Sequence, residues 1–134
     1  MGCFNITENI MQRSFLLLGS LFGFFGIALG AFGAHGLKKI ISPEMLLIFE
    51  TGVRYHVYHT IAILVVALFV EKYPALRYSG RLFGAGIILF SGSLYVLALT
   101  GITMFGAVTP FGGICFLAGW IVLGATAFKI QKEN

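Results

Sequence analysis

The sequence predicts an all-α, polytopic membrane protein in which four transmembrane helices form one bundle with glycine-rich packing. Charged residues make up only 10% of the 134 residues, whereas soluble domains carry about 25%. Hydrophobic residues make up 58%, and the mean hydropathy is +0.95. They occur in long uncharged blocks such as residues 14–34. That block is long enough to cross a hydrocarbon core of ~30 Å at a rise of ~1.5 Å per residue.

Segments rich in glycine, proline and charge separate the apolar blocks and leave no room for a second domain, so residues 1–134 form a single membrane domain. The predicted spans cover residues 14–35, 51–70, 81–100 and 110–128. The first span is not expected to be a cleaved signal peptide. Its apolar block is longer than the ~7–15 residues of a signal's core, and no clean A-x-A site follows it.

Two helix starts are marked by a capping residue followed by proline. The letters "SPE" place Ser42 at an N-cap, Pro43 at the first helical position and Glu44 in the first turn. Thr109 and Pro110 repeat the arrangement before the fourth span. A helix that runs from Pro43 to the end of the second span is longer than the hydrocarbon core is thick. We therefore expect residues 43–50 to lie at the membrane interface.

Lysine and arginine predict the orientation in the membrane. Three of the nine, Lys38, Lys39 and Arg54, lie on one side. The other six lie near the two termini and in the 71–81 loop: Arg13, Lys72, Arg77, Arg81, Lys129 and Lys132. Because cytoplasmic segments are enriched in Lys and Arg, we expect a plasma (inner) membrane protein with both termini in the cytoplasm.

The distribution of Lys and Arg also predicts the partners of the protein, and the positions of the two cysteines bear on its redox chemistry. The basic residues are scattered at the membrane edges with no soluble domain to carry them, so the lipid bilayer is the expected partner and nucleic acid is not. The two cysteines do not suggest a disulfide, because Cys3 lies in the N-terminal tail and Cys115 lies deep in an apolar block.

Small residues form stripes that predict close helix packing. Successive residues of an α-helix are 100° apart, and at this angle the glycines of the first span fall in one stripe. The small residues of the third span fall in another stripe, which contains Ser91, Tyr95 and Ala98 in addition to its glycines. Helices in lipid associate through close packing, and small residues on one face permit it. The predicted packing glycines are Gly19, Gly23, Gly26, Gly30 and Gly33 in the first span and Gly80 and Gly84 in the third.

The stretch "TGVRYHVYH" at 51–59 carries an arginine and two histidines directly before the apolar run 60–70. That run alone is too short to span a membrane, so much of the stretch must be helical and at membrane depth. Helical spacing places Glu50 and Arg54 one turn apart, as an ion pair would require. The lipid-facing side is assigned to Val53, Val57 and Thr60.

Polar residues from every predicted span converge on the outer half of the bundle. Ionisable groups at membrane depth are costly and mark a binding site or a buried pair. The candidate ligand-binding residues are His35, Glu50, Arg54, Tyr55, His56, His59, Ser91, Tyr95 and Thr109. Trp120 is assigned to packing because it lies midway along the fourth span.

Three functions remain open at this point. The first is a small-ligand or lipid-headgroup binder or transport component, in which Arg54 and nearby hydroxyls hold a small anion. The second is a haem- or metal-binding protein that uses His35, His56 and His59, although no third ligand stands near the histidine pair in sequence. The third is a structural or assembly subunit whose polar cluster only locks the helices.

Catalysis is not favoured, because the sequence has no nucleophile elbow, phosphate loop or paired carboxylates. The cofactor, if any, is unknown. Four short spans leave little room for a transport pathway within one chain, so a homo-oligomer stays open as a partner.

The blocks "GAFGAHGL" (30–37), "TGVRYHVYH" (51–59), "SGSLY" (91–95) and "TPFGG" with "GW" (109–113 and 119–120) resemble one family. This family comprises the small four-span membrane proteins of the YgdD and YwdK type, domain of unknown function 423, with a eukaryotic relative. The resemblance implies a four-helix inner-membrane protein without an established activity. Its characteristic positions correspond here to His35, Gly36, Glu50, Arg54, His59, Ser91, Tyr95, Thr109 and Pro110.

Overall fold

The computed structural model describes the backbone of residues 6–132 and the side chains of residues 10–129. Within this range the chain forms helices and short 3₁₀ segments, without a β-strand. The helices are α1 (Ile6–His35), α2 (Pro43–Phe69), α3 (Leu76–Gly86), α4 (Gly92–Thr100) and α5 (Thr109–Lys132). A π-helix at Ile87–Ser91 joins α3 to α4, and these three segments form one continuous third span.

Four helical segments are long and apolar enough to cross a membrane, which confirms the predicted fold class for the described residues. They are Ile10–Lys39, Pro43–Phe69, Leu76–Thr100 and Thr103–Lys129. The third span begins at Leu76, five residues before the predicted start, because Arg77 and Arg81 lie in the helix and not in a loop. Cys3, one of the two cysteines considered above, lies outside the described residues.

Local sequence signals account for two helix ends. Ser42 caps α2 as predicted: its hydroxyl accepts a hydrogen bond from the backbone N–H of Met45 at 3.3 Å, and Pro43 is the first helical residue. The third span ends at Gly101, which adopts a left-handed conformation (φ 70°) and donates its N–H to the carbonyl of Leu97. Glycine adopts this conformation without the steric cost that other residues incur.

The helices alternate in direction, so the bundle has a termini end, near Ile6 and Lys132, and an opposite end, near Ser42 and Gly101. The α1 helix packs on α2, the third span packs on both α2 and α5, and α2 and the third span are the more buried elements. One apolar core lies toward the termini end and includes Phe15, Ile63 and Phe83. A second core at the opposite end is built around Phe49 and Leu37.

All five glycines of the first-span stripe face α2. A β-carbon at Gly26 would lie 3.1 Å from Val57, and one at Gly30 would lie 3.3 Å from Val53. The same contacts show that Val53, Val57 and Thr60 pack on α1, so their assignment to lipid was wrong. Their branched side chains occupy the space that the glycines leave open, and Thr60 is buried.

The stripe predicted for the third span is divided between two neighbours. Gly80 and Gly84 face side chains of α1, including Phe15 and Leu18. Ser91 instead hydrogen-bonds the backbone of α2, and Tyr95 contacts Gly52 of α2. The π-helix begins after the two glycines and ends at Ser91, and its wider turn changes the direction of later side chains relative to a regular helix. A face computed at 100° per residue therefore fails across this segment.

Candidate functional site

The stretch at 51–59 lies in the middle of α2, and its two histidines point to different neighbours. His56 is the midpoint of the helix, and both His56 and His59 are buried, with 4% and 5% of their surface exposed. His59 contacts α5, whereas His56 contacts the third span and α1. His56 and His59 therefore lie midway along α2 and contact different neighbours, whereas the sequence grouped them in one pocket.

His59 is held by aromatic side chains and two hydrogen bonds. Its ring stacks on Phe116 with 3.5 Å between centroids and 7° between planes. The indole N–H of Trp120 donates to Nε2 of His59 at 3.1 Å. Nδ1 of His59 lies 2.7 Å from the backbone carbonyl of Tyr55. Because an indole only donates and a carbonyl only accepts, His59 is the neutral tautomer with its hydrogen on Nδ1.

His56 makes a different set of contacts. Its Nδ1 lies 3.0 Å from the hydroxyl of Tyr95 in the third span. Its Nε2 faces α1, near Gly26 and the backbone of Phe22, and the Phe22 ring meets the imidazole edge-on at 5.6 Å. The residue therefore links three spans through one ring.

Hydroxyl groups also join helices. The hydroxyl of Ser91 donates to the carbonyl of Gly52 at 2.7 Å, and that of Ser79 donates to the carbonyl of Gly119 at 2.8 Å. The hydroxyls of Ser93 and Thr109 lie 2.8 Å apart, so Thr109 ties α5 to the third span. Five of the predicted site residues thus make interhelical hydrogen bonds: His56, His59, Ser91, Tyr95 and Thr109.

Other predicted residues remain outside these contacts. His35 is exposed at the end of α1, and its Nδ1 lies 3.1 Å from the carbonyl of Ala31 in its own helix. Glu50 and Arg54 are both exposed, and among the described side chains the expected ion pair between them is not formed. The spacing permits such a pair, but two exposed side chains gain little by holding one geometry.

The histidines are poorly placed for metal or haem. No group of three or more His, Cys, Asp or Glu side chains comes together in the described part of the chain. Nε2 of His59 accepts from Trp120, and Nδ1 donates to a carbonyl, so neither nitrogen has a lone pair available to a metal. The contacts of His59 therefore give no support to a role for it as a metal or haem ligand.

A groove of about 820 Å³ opens between α2 and α5. His59, Phe90 and Phe116 form its inner wall, and the groove faces outward, where Tyr58 is 56% exposed and Leu117 is 67% exposed. The remaining lining residues are Tyr55, Ile61, Pro110, Gly113, Ile114 and Trp120. The lining is almost entirely apolar and aromatic, which is typical of a site for a small molecule with an apolar body.

Arg54 lies near one end of this groove. Arg54, Tyr58 and Ile61 follow one another at helical spacing on one face of α2, and Tyr58 and Ile61 line the groove. Arg54 is exposed and lies one helical turn before Tyr58, toward the opposite end of the bundle, and it is not itself a lining residue.

Sequence reasoning missed the contributions of α5. Trp120 was assigned to packing, yet it donates a hydrogen bond to His59 and lines the groove. Phe116 and Phe90 were not singled out, although both pack on Tyr55 or His59. The available signal was the polar N–H of a tryptophan placed midway along an apolar helix, because such a group requires a partner.

Comparisons with known proteins agree with this architecture. The model of the family described as "Protein of unknown function (DUF423)" matches residues 29–113, more than half of the chain. The UPF0382 membrane protein YwdK of Bacillus subtilis is 43% identical, covering 88% of this chain and 98% of the relative. A UPF0382 membrane protein of Haemophilus influenzae is 46% identical, covering 91% and 99%.

The UPF0382 inner membrane protein YgdD of Escherichia coli is 37% identical, covering 92% of this chain and 95% of the relative. No solved structure matches the chain. The matched region contains the second span, the third span and the beginning of α5, and so includes His56, His59 and most of the groove. On this evidence, the chain is an integral membrane protein that belongs to the DUF423 family of proteins of unknown function.

Proposed function

We propose that the protein binds an amphipathic, lipid-like molecule with an anionic head group in the groove between α2 and α5. The proposal rests on the groove, which has a volume of about 820 Å³ and an aromatic lining. Arg54 lies one turn from the lining residue Tyr58 on the same face of α2. The apolar body of the ligand would lie against Phe90, Phe116 and Trp120. Its head group would meet the guanidinium of Arg54 and the phenol of Tyr58.

Charge and geometry support an anion beside Arg54. Arg54 is exposed and has no carboxylate partner among the described side chains. A guanidinium offers a planar set of donors that suits a carboxylate or a phosphate. The groove is formed within one chain, so the proposal does not require a homo-oligomer.

The proposed orientation places Arg54 in the outer leaflet of the plasma (inner) membrane and both termini in the cytoplasm. Six of the nine Lys and Arg residues lie at the termini end, and cytoplasmic segments carry this excess. We expect a Thr103→Cys variant, with Cys3 and Cys115 replaced by serine, to react in intact cells with a membrane-impermeant maleimide. Labelling only after the cells are broken would reverse the orientation.

Trp120 is the single tryptophan of the chain and lines the groove, so it reports occupancy directly. We expect stearate that is dibrominated midway along its chain to quench Trp120 fluorescence saturably in a maltoside detergent. Arg54→Gln should weaken this binding about tenfold, because a hydrogen bond to a charged group contributes about 1.5–3 kcal/mol. The methyl ester of the same fatty acid, which lacks the anion, should likewise bind about tenfold more weakly than the acid.

Two further variants separate binding from folding. Gly113 lines the groove, and a β-carbon there meets only the ring of Phe90 at 3.9 Å, so Gly113→Leu should fold and fill the groove. Tyr95→Phe removes the hydroxyl near His56 outside the groove, so it should lower stability and leave quenching unchanged. Equal quenching by the acid and the ester, or unchanged affinity in Arg54→Gln, would refute the proposed head-group site.

A further inference from the structure

A second cleft lies at the termini end of the bundle, between α1 and α3. It has a volume of about 310 Å³ and is lined by both polar and apolar side chains. Arg77 and Arg81 lie one turn apart on α3 and face this cleft. The groove between α2 and α5 shares none of these residues.

The positive charge in the cleft is not neutralised by the described residues. Arg77 donates from Nη2 to the hydroxyl of Tyr78 at 2.8 Å, and its guanidinium lies 4.8 Å from the centre of that ring. Tyr78 thus orients Arg77 without cancelling its charge. Arg81 is exposed, and neither arginine forms an ion pair within residues 10–129. Two adjacent guanidinium groups attract an anion and repel a second cation.

The remaining walls are apolar and extend toward the middle of the membrane. Phe15 is buried at the base of the cleft, and Leu18 lies about one turn further along α1. Ser14 adds no free donor, because its hydroxyl already donates to the carbonyl of Ile10 at 2.7 Å. The cleft is therefore cationic where the third span begins and apolar along its length.

We propose that this cleft holds an anionic phospholipid of the surrounding bilayer. Its phosphate would bind Arg77 and Arg81, and one acyl chain would lie on Phe15 and Leu18. Basic pockets between transmembrane helices are suited to anionic head groups, and two forked guanidinium groups match phosphate oxygens. The bound lipid would lie beside the contacts that Phe15 and Leu18 of α1 make with Gly80 and Gly84 of α3.

The test is native mass spectrometry of the purified protein in a mild detergent, with phosphatidylglycerol or phosphatidylcholine added. We expect the protein to retain phosphatidylglycerol in preference to phosphatidylcholine. The double variant Arg77→Gln/Arg81→Gln should reduce the retention of phosphatidylglycerol about tenfold or more. The matched control is Lys38→Gln/Lys39→Gln, which removes two exposed cations at the opposite end. This control should retain phosphatidylglycerol as the unaltered protein does.

Thermal unfolding provides a second measurement of the same binding. Phosphatidylglycerol should raise the Tm of the unaltered protein but not that of the double variant. If the double variant fails to fold, Arg81→Gln alone should lower retention, since Arg81 is exposed. Equal retention of both lipids, or unchanged retention in the arginine variants, would overturn the proposal. The same thermal shift from inorganic phosphate alone would overturn a lipid as the occupant. None of these outcomes depends on Arg54 or on quenching of Trp120.

Discussion

Gly112→Ala is expected to destabilise the protein more than alanine at any other glycine of α5. A β-carbon at Gly112 would collide with the backbone of Phe90, within the π-helix of the third span. A side chain can rotate away from such a contact, but a backbone inside a packed helix cannot. Overpacking of this kind costs about 1–3 kcal/mol, and we expect the upper part of that range. Unfolding in detergent, followed by circular dichroism, measures the loss.

The matched control lies in the same helix. A β-carbon at Gly124 would meet nothing within 4 Å, so Gly124→Ala makes the same chemical change without a collision. We expect no loss of stability, and a small gain, because alanine favours a helix over glycine. Equal stability of the two variants would contradict the close approach of α5 to the third span at Gly112.

Phe49→Ala should cause the second large loss of stability. The side chain of Phe49 is fully buried, lies against Gly33 of α1 and meets the Tyr95 ring at 4.9 Å. It therefore joins three spans at the opposite end of the bundle. Removal of a buried phenylalanine ring costs about 3–5 kcal/mol. We expect about 3 kcal/mol here, because in detergent the unfolded state also shields apolar groups from water.

Phe24→Ala is the control for this prediction. Phe24 lies on α1 with 70% of its surface exposed, so its removal leaves no internal cavity. Its unfolding midpoint should stay close to that of the unaltered protein. Similar losses from the two substitutions would mean that Phe49 does not connect the helices as described.

The features that sequence reasoning anticipated depend on local or strongly periodic signals. Ser42 and Pro43 marked the start of α2 because capping involves residues only three positions apart. The Gly19–Gly33 stripe follows a regular helix, and the structure places it against α2. Long uncharged blocks likewise indicated four spans. In each case the signal lies within a single helix.

The candidate site was less predictable because its contacts join distant parts of the chain. His56 and His59 are three residues apart, yet one faces Tyr95 and the other faces Trp120. Helical spacing cannot identify the neighbour on each side. Val53 and Val57 show the same limit, since an apolar face suits lipid and a glycine-lined helix equally well.

The sequence by itself determined that this chain is an integral membrane protein with four helical spans, because hydrophobic length and the scarcity of charge act within each segment. Only the tertiary structure decided which faces meet. The π-helix at Ile87–Ser91 divided the third-span stripe between α1 and α2, and the packing of α5 placed Trp120 on His59 and left a groove beside them. These outcomes depend on contacts between helices, which no periodicity within a single helix encodes.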